Sequence, residues 1–407
     1  MPKSGNKKPR KDVNDLAVNS SEQGSKITMD SNANHRHRIT SFNTRKQQSK
    51  EMSQWLYVHK DKAPLYSAEQ SRLGYYASSL GGCASWLLFK HFYTLDKYKL
   101  DKFISCKKHM LCSFCSALRG TKQAKAYHDK AKAIMQEKPH LKLVFITLTV
   151  KNGDDFLERF GHLEQSFQTL KNRRSDSRKK GRGFNEFSKV DGCVYSYEIT
   201  NKKNGWHPHL HMVALVDDWI DNKKLSKEWE AITGDSKIID VRRIKPDENG
   251  DYMEAFMECF KYCMKFSEMS KENVWEVHEK LSPPKINKQG IEKRRLKRLH
   301  GSIGSFWGVK LPDELTDDKE ETISDNTPFM AIFYTYRKSC YGVVEMQDFP
   351  FGEVTKGNLL EALKDLEASG EVLANLPKLP KPFSIYDEVE PVERLPDWLL
   401  PFENENA

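Results

Sequence analysis

The sequence predicts an α+β protein with a central antiparallel sheet and flanking helices, accompanied by a small N-terminal zinc-binding module. Three observations predict it. Two apolar stretches, residues 193–200 and 206–216, flank the short polar insert 201–205, the pattern of an antiparallel hairpin. Phe156, Phe160, Leu163, Phe167 and Leu170 recur at helical spacing just after a β-branched apolar run at 141–150. Four of the eight cysteines fall in the N-terminal third. In a chain read as intracellular, such a cluster points to metal rather than to disulfides.

The elements follow in order. Residues 1–55 are rich in Lys, Asn and Ser without apolar periodicity and read as disordered. The cysteine module occupies 75–120, and an Ala- and Lys-rich helix follows at 117–136. A larger domain, 121–300, begins with the strand at 141–150, which Asn152-Gly153 terminates. After the helix at 156–170, a basic loop spans 171–182 and precedes the hairpin. A short strand at 237–241, a helix at 251–266 and a second helix at 272–281 complete the domain, which ends in a basic stretch at 285–300. Residues 301–370 form a C-terminal region of unassigned role, with an acidic linker near 316–325 and strand-like sequence at 329–345. Residues 371–407 are a Pro-rich acidic tail.

Composition narrows the function classes. The 407 residues are 38% hydrophobic and 30% charged, enough for a core with solvated tails. No run of 18 apolar residues exists to span a membrane, and the first residues lack the apolar stretch of a signal peptide, so a cytoplasmic location is expected. The net charge is +9, yet residues 351–407 carry 12 acidic and only 5 basic residues. A basic body with an acidic tail suits a polyanionic partner. Arg173, Arg174, Arg178, Lys179 and Lys180 in the basic loop are the candidate DNA-binding residues.

The sharpest signal is His207-Pro208-His209-Leu210-His211. Alternate residues of a strand share a face, so His209 and His211 point the same way, with His207 beside them if the strand is regular there. Pro208 suits an edge strand or a strand start. Two imidazoles on one face can hold a divalent cation, and Glu198 is the carboxylate of the partner strand. Such a site leaves coordination positions open for a phosphodiester. A second constellation follows in the helix at 251–266. Glu258, Tyr262 and Lys265, at i, i+4 and i+7, line one stripe, opposite Met253, Phe256, Phe260 and Met264. A tyrosine can be a covalent nucleophile, a lysine one turn on can steady the phosphate, and a glutamate one turn back can act as general base. In the N-terminal third, Cys106, Cys112 and Cys115 with Cys83 upstream have the makings of a four-thiolate zinc site, His109 being an alternative fourth ligand.

At these residues the sequence resembles the plasmid rolling-circle replication initiators of the HUH endonuclease superfamily. Residues 145–152 (FITLTVKN) resemble the first motif, His207-Pro208-His209-Leu210-His211 the metal-binding second, and Tyr262-x-x-Lys265 the third, which carries the nucleophile. The four cysteines resemble the N-terminal module of a branch with a single tyrosine preceded four residues earlier by a glutamate, as Glu258 precedes Tyr262. The resemblance spans about 80–300. It implies metal-dependent nicking of plasmid origin DNA, single-stranded at the nick, through a 5′-phosphotyrosine on Tyr262. It further implies Mg or Mn at His209 and His211, termination assisted by Glu258, and a host helicase and DNA polymerase as partners. A transposase or mobilisation relaxase shares this chemistry; many of these carry two tyrosines. A non-catalytic zinc-module DNA-binding regulator would need no nucleophile at all. The number of subunits, the host and the origin sequence are left open.

Overall fold

The computed structural model describes residues 31–260, 268–286, 292–318, 323–324 and 327–349. Tyr262, Lys265 and the tail 371–407 lie outside them. In chain order come α1 (Ser31–Lys62), α2 (Ala68–Gly82), β1 (Trp86–Phe92), β2 (Lys97–Phe103) and α3 (Ser113–Glu137). Then come β3 (Lys142–Thr149), α4 (Phe156–Lys180), a 3₁₀ turn (Glu186–Lys189), β4 (Val190–Lys202), β5 (Gly205–Val216), α5 (Asn222–Thr233) and β6 (Ile239–Arg243). The last described elements are α6 (Met253–Phe260), α7 (Lys271–Leu281), β7 (Pro284–Ile286), β8 (Glu292–Arg294), β9 (His300–Gly304), β10 (Phe329–Arg337) and β11 (Cys340–Phe349).

The expected antiparallel sheet is present as five strands in the order β6-β3-β5-β4-β9. The predicted hairpin closes with Lys202 opposite Gly205. Gly205 sits at φ 85°, and a Cβ there would run into the Gly153 carbonyl, so the position has no room for a side chain. Period-two alternation sorts the strands into two faces. Val144, Ile146 and Leu148 of β3, Leu210 and Met212 of β5, and Tyr197 and Ile199 of β4 pack with Phe160, Leu163 and Phe167 of α4. The opposite face gathers Phe145, Val213, Leu215 and Val194 against Ala124, Tyr127 and Ala131 of α3 and Phe256, Cys259 and Phe260 of α6. That second face also carries His209, His211 and Glu198. Pro208 lies near the start of an interior strand, not on an edge: pairing of β5 with β3 begins only at His209.

The second sheet has the order β11-β10-β1-β2. Here the sequence reading needs correction. The cysteine segment 75–120 is not self-contained, because β1 takes β10 as a partner along Trp86 to His91. The region 301–370 therefore completes the N-terminal sheet, and Leu87, Phe89, Ile332 and Tyr334 share one core with Val144 and Leu148 of the central sheet. The acidic residues near 317 are anchors, not a linker. Asp317 accepts both guanidinium nitrogens of Arg38 at 2.7 Å, and Asp318 pairs with Lys122 and Lys125.

Two stretches read as irregular are helical. Residues 1–55 were expected to be disordered, but α1 runs from Ser31. Its buried stripe mixes His35, Phe42, Lys46, Ser49, Met52, Ser53 and Leu56, so a hydrophobic count misses it. The basic loop at 171–182 is instead the last turns of α4, capped by Gly181 at φ 63°. Lys and Arg are good helix formers, so the helix outlasts the apolar periodicity that ends at Leu170.

Two substitutions test this packing. Phe167, fully buried between α4 and Tyr195, should lose about 3–5 kcal/mol on replacement by alanine. Gly304 ends β9 at φ 63°, and a Cβ there would collide with the Asp191 carbonyl, so Gly304→Ala should cost about 2 kcal/mol. Urea unfolding of each variant measures both.

Candidate functional site

The hairpin register sets the site. Glu198 of β4 lies directly opposite His209 of β5, and His211 is two residues farther on the same face. His209 Nε2 is 3.2 Å from Glu198 Oε1, and His211 Nε2 is 3.1 Å from Glu198 Oε2. The three side chains keep about a tenth of their surface accessible (10–14%), so the site opens to solvent without being flooded by it. Their remaining ring atoms are held from outside. His211 Nδ1 lies 3.1 Å from Thr147 Oγ1 on β3, and His209 Nδ1 lies 3.4 Å from the His207 carbonyl. With those Nδ1–H groups donating, both Nε2 lone pairs face the carboxylate. Two lone pairs and an anion at van der Waals range repel one another unless a cation sits among them. Octahedral ions with ligands at about 2.1 Å separate neighbouring donors by about 3 Å, which the spacing here matches. The donor set therefore fits a divalent cation. His207 stands apart: its Nδ1 hydrogen-bonds Asn152 Oδ1, and burial lowers its pKa below the usual histidine value.

Helix α6 covers the neighbouring part of this face. Cys259 Sγ lies 3.5 Å from the His211 carbonyl, and Ser196 Oγ donates to the Cys259 carbonyl at 2.6 Å. Phe256 and Phe260 are buried, as the predicted apolar side of the helix requires, while Glu258 is exposed. Tyr262 and Lys265 fall beyond the described part of the helix.

The four cysteines converge at a second place. Cys83 Sγ is 3.4 Å from Cys115 Sγ and 3.6 Å from Cys112 Sγ, and Cys106 Sγ is 3.6 Å from Cys115 Sγ. A tetrahedral zinc–thiolate site with bonds of about 2.3 Å has sulfur–sulfur edges of about 3.8 Å, so the cage is close to the size of that ion. The neighbouring thiols, Cys106 foremost, pull the Cys115 pKa down and push that of Cys83 up, since four thiolates this close cannot coexist without a cation. Backbone N–H groups of Cys106 and Cys115 point at Cys83 Sγ and Cys112 Sγ, both at 3.5 Å. Lys46 of α1, 3% exposed, donates to the Gly81 and Cys83 carbonyls and sets a positive charge beside the cluster. His109 is not part of the cage; Cys83 is the fourth member.

Comparison with known proteins gives the family. The sequence profile described as "Replication protein" matches residues 97–327, more than half of the chain. The chain belongs to the replication protein family. Among curated relatives, a protein named Protein rep from Streptococcus pneumoniae serotype 2 is 25% identical over 254 residues, covering 58% of this chain and 74% of that protein. Replication proteins from Staphylococcus aureus and a Bacillus species are each 22% identical over 236 residues, covering 51% of this chain and 93% of theirs. No solved structure matches. Family and relatives together make the chain a plasmid replication initiator. Among its described residues no helix is long and apolar enough to cross a membrane.

In this replication protein the basic candidates divide. Arg174 donates to the Val190 and Asp191 carbonyls, and Arg178 to the Ser188 and Val190 carbonyls and to Asp217. Both bind the end of α4 to the start of β4, so DNA contact is not their first task. Arg173, Lys179 and Lys180 are exposed, Lys180 being paired with Asp176 one turn back. Sequence reasoning missed Thr147 and Asn152. Alternation along 141–150 would have put Thr147 on the face of the histidines once β3 was known to pair with β5.

Two outcomes follow for the metals. Metal analysis should find one zinc per chain, and Cys115→Ser should lose it together with several degrees of thermal stability. Thr147→Val should weaken divalent-cation binding at the histidines by about tenfold, read by calorimetry, and leave the zinc content unchanged.

Proposed function

We propose that this replication initiator is an HUH-type endonuclease that nicks single-stranded origin DNA with Tyr262 and so starts rolling-circle replication. The observation that carries the reading is the convergence of Glu198, His209 and His211 on the sheet face that α6 also covers. Covalent geometry supports a role for Tyr262 at that cluster: it is three positions on from Cys259, which touches the His211 carbonyl, and three peptide steps span at most about 11 Å.

The chemistry proposed for these residues is a transesterification. The Tyr262 phenolic oxygen attacks the phosphorus, the bond from phosphorus to the 3′-oxygen breaks, and that oxygen takes up a proton as the phenol gives one up. The products are a 5′-phosphotyrosine and a free 3′-hydroxyl for a host polymerase to extend. A divalent cation, Mg or Mn, held by Glu198, His209 and His211 would supply polarisation of the phosphoryl oxygens. Thr147 fixes the His211 ring, Lys265 steadies the phosphate, and the exposed Glu258 takes the proton of the second attacking hydroxyl at termination. Zinc at the cysteine cluster would serve structure alone, tying α2, β2 and α3 together.

A labelled single-stranded origin oligonucleotide, incubated with the protein and Mn²⁺, should give a covalent adduct on a denaturing gel. The adduct should vanish in Tyr262→Phe and fall at least a hundredfold in His209→Ala or with chelator. An adduct that persists in Tyr262→Phe rules out this nucleophile. Sequence-specific binding with no adduct under any condition favours a non-catalytic regulator.

A further inference from the structure

A cavity of about 250 Å³ lies between α3, the segment leading into β9, and the end of α6. Its polar lining includes His109, Arg119, Gln123, Arg298 and His300, with Arg295 and Lys297 adding positive charge, and among the described residues no carboxylate lines it. The cluster is electrostatically unfinished. The Arg119 Nε and the His300 Nδ1 are buried with no hydrogen-bond partner among the described residues. Gln123, 4% exposed, holds the other ring nitrogen of His300 at 2.9 Å and so aims the imidazole. Burial and the Arg119 charge push the pKa of both His109 and His300 down to about 4, so the positive charge at neutral pH rests on the arginines and on Lys297, which is paired with Glu164. Donors that lack acceptors, in a concave site with no acidic group among its described lining residues, call for an anion.

The sheet fixes where that anion would lie. His300 on β9 pairs with Ser196 on β4, and Ser196 pairs with His211 on β5. One row across the sheet therefore links the cavity to the metal triad, two strand spacings or about 10 Å apart. Phe260 forms part of the cavity wall, and its ring stands 6.3 Å from that of His300. We infer that this cavity is a phosphate subsite that holds a backbone phosphate of the single strand, a nucleotide or two from the bond being cut, through Arg119 and Arg298. The inference rests on the nicking function proposed above for its ligand. It assigns new residues to DNA positioning and gives His109, excluded from the zinc cage, a place in the wall.

The test is a scan with neutral phosphates. Single-stranded oligonucleotides covering the nick site of the cognate origin, each with one methylphosphonate, are titrated into the full zinc-loaded chain carrying Tyr262→Phe, with no Mg²⁺ or Mn²⁺ added. The subsite predicts that one position beside the nick costs about tenfold in affinity. The same position should cost less than twofold when Arg119→Gln or Arg298→Gln is also present. Each arginine change should lower the salt slope of binding by about 1. The exposed Arg298 guards against misreading a folding defect of Arg119→Gln, with zinc content as the common check. A scan in which every position costs the original and the arginine variants alike overturns the subsite. If the native chain binds the oligonucleotide but never forms the adduct, the nicking proposal fails while the scan still decides the subsite. A chain with no affinity for the single strand overturns both.

Discussion

The site depends on one register. Antiparallel pairing puts Glu198 opposite His209, and the two-residue periodicity of β5 then brings His211 to the same carboxylate. A slip of one residue would turn both imidazoles into the layer of α4, among Phe160 and Phe167, and leave Leu210 in their place. The register is defended at both ends. Gly205 at φ 85° closes the turn under the Gly153 carbonyl, and the far end is locked by Cys193, Val194 and Val213 packed on both faces. The apolar sandwich thus does chemical positioning: a rigid ladder holds two imidazole nitrogens within 3.2 Å of one carboxylate, donors that electrostatics alone would drive apart.

The rest of the molecule brings groups to that face. Helix α3 begins at the cysteine cluster, with Cys112 as its N-cap and Cys115 in its first turn, and ends over the sheet at Ile134. A zinc ion there would therefore fix the start of the helix that carries Arg119 and Gln123 to the basic cavity. Helix α6 lies between α3 and the histidine strand, through Tyr127 stacked on Phe260 and Cys259 on the His211 carbonyl. Cysteine cluster, basic cavity and histidine triad are linked in turn by α3 and α6, an arrangement that would let the proposed site hold a strand at several phosphates at once.

Much of this was legible in the sequence because it is encoded locally. The hairpin, its turn, the helix at 156–170 and the three-residue donor set all follow from period-two or period-3.6 patterns. The four cysteines declared themselves by residue type. Other features depended on contacts distant in sequence. The pairing of β1 with β10 leaves no local mark, so the cysteine segment and the region after 301 looked separate. The buried stripe of α1 contains Lys46, Ser49 and Ser53, whose partners are backbone carbonyls and a thiol rather than apolar surface. The tail of α4 reads as a loop because its apolar periodicity stops at Leu170, and the bonds that hold it, from Arg174 and Arg178 to the carbonyls of Ser188, Val190 and Asp191, leave no local pattern. The cavity residues come from 109–123, Phe260 and 295–300, segments that only the tertiary fold unites.

The central claim is that one cation is held jointly by two imidazoles of a strand and the carboxylate facing them. Electron spin-echo spectroscopy of the Mn²⁺-loaded chain tests it most directly. The account predicts modulation from two imidazole nitrogens, reduced to one in His209→Ala and again to one in His211→Ala. Manganese bound with no nitrogen coupling, or with coupling unchanged in both variants, would contradict it.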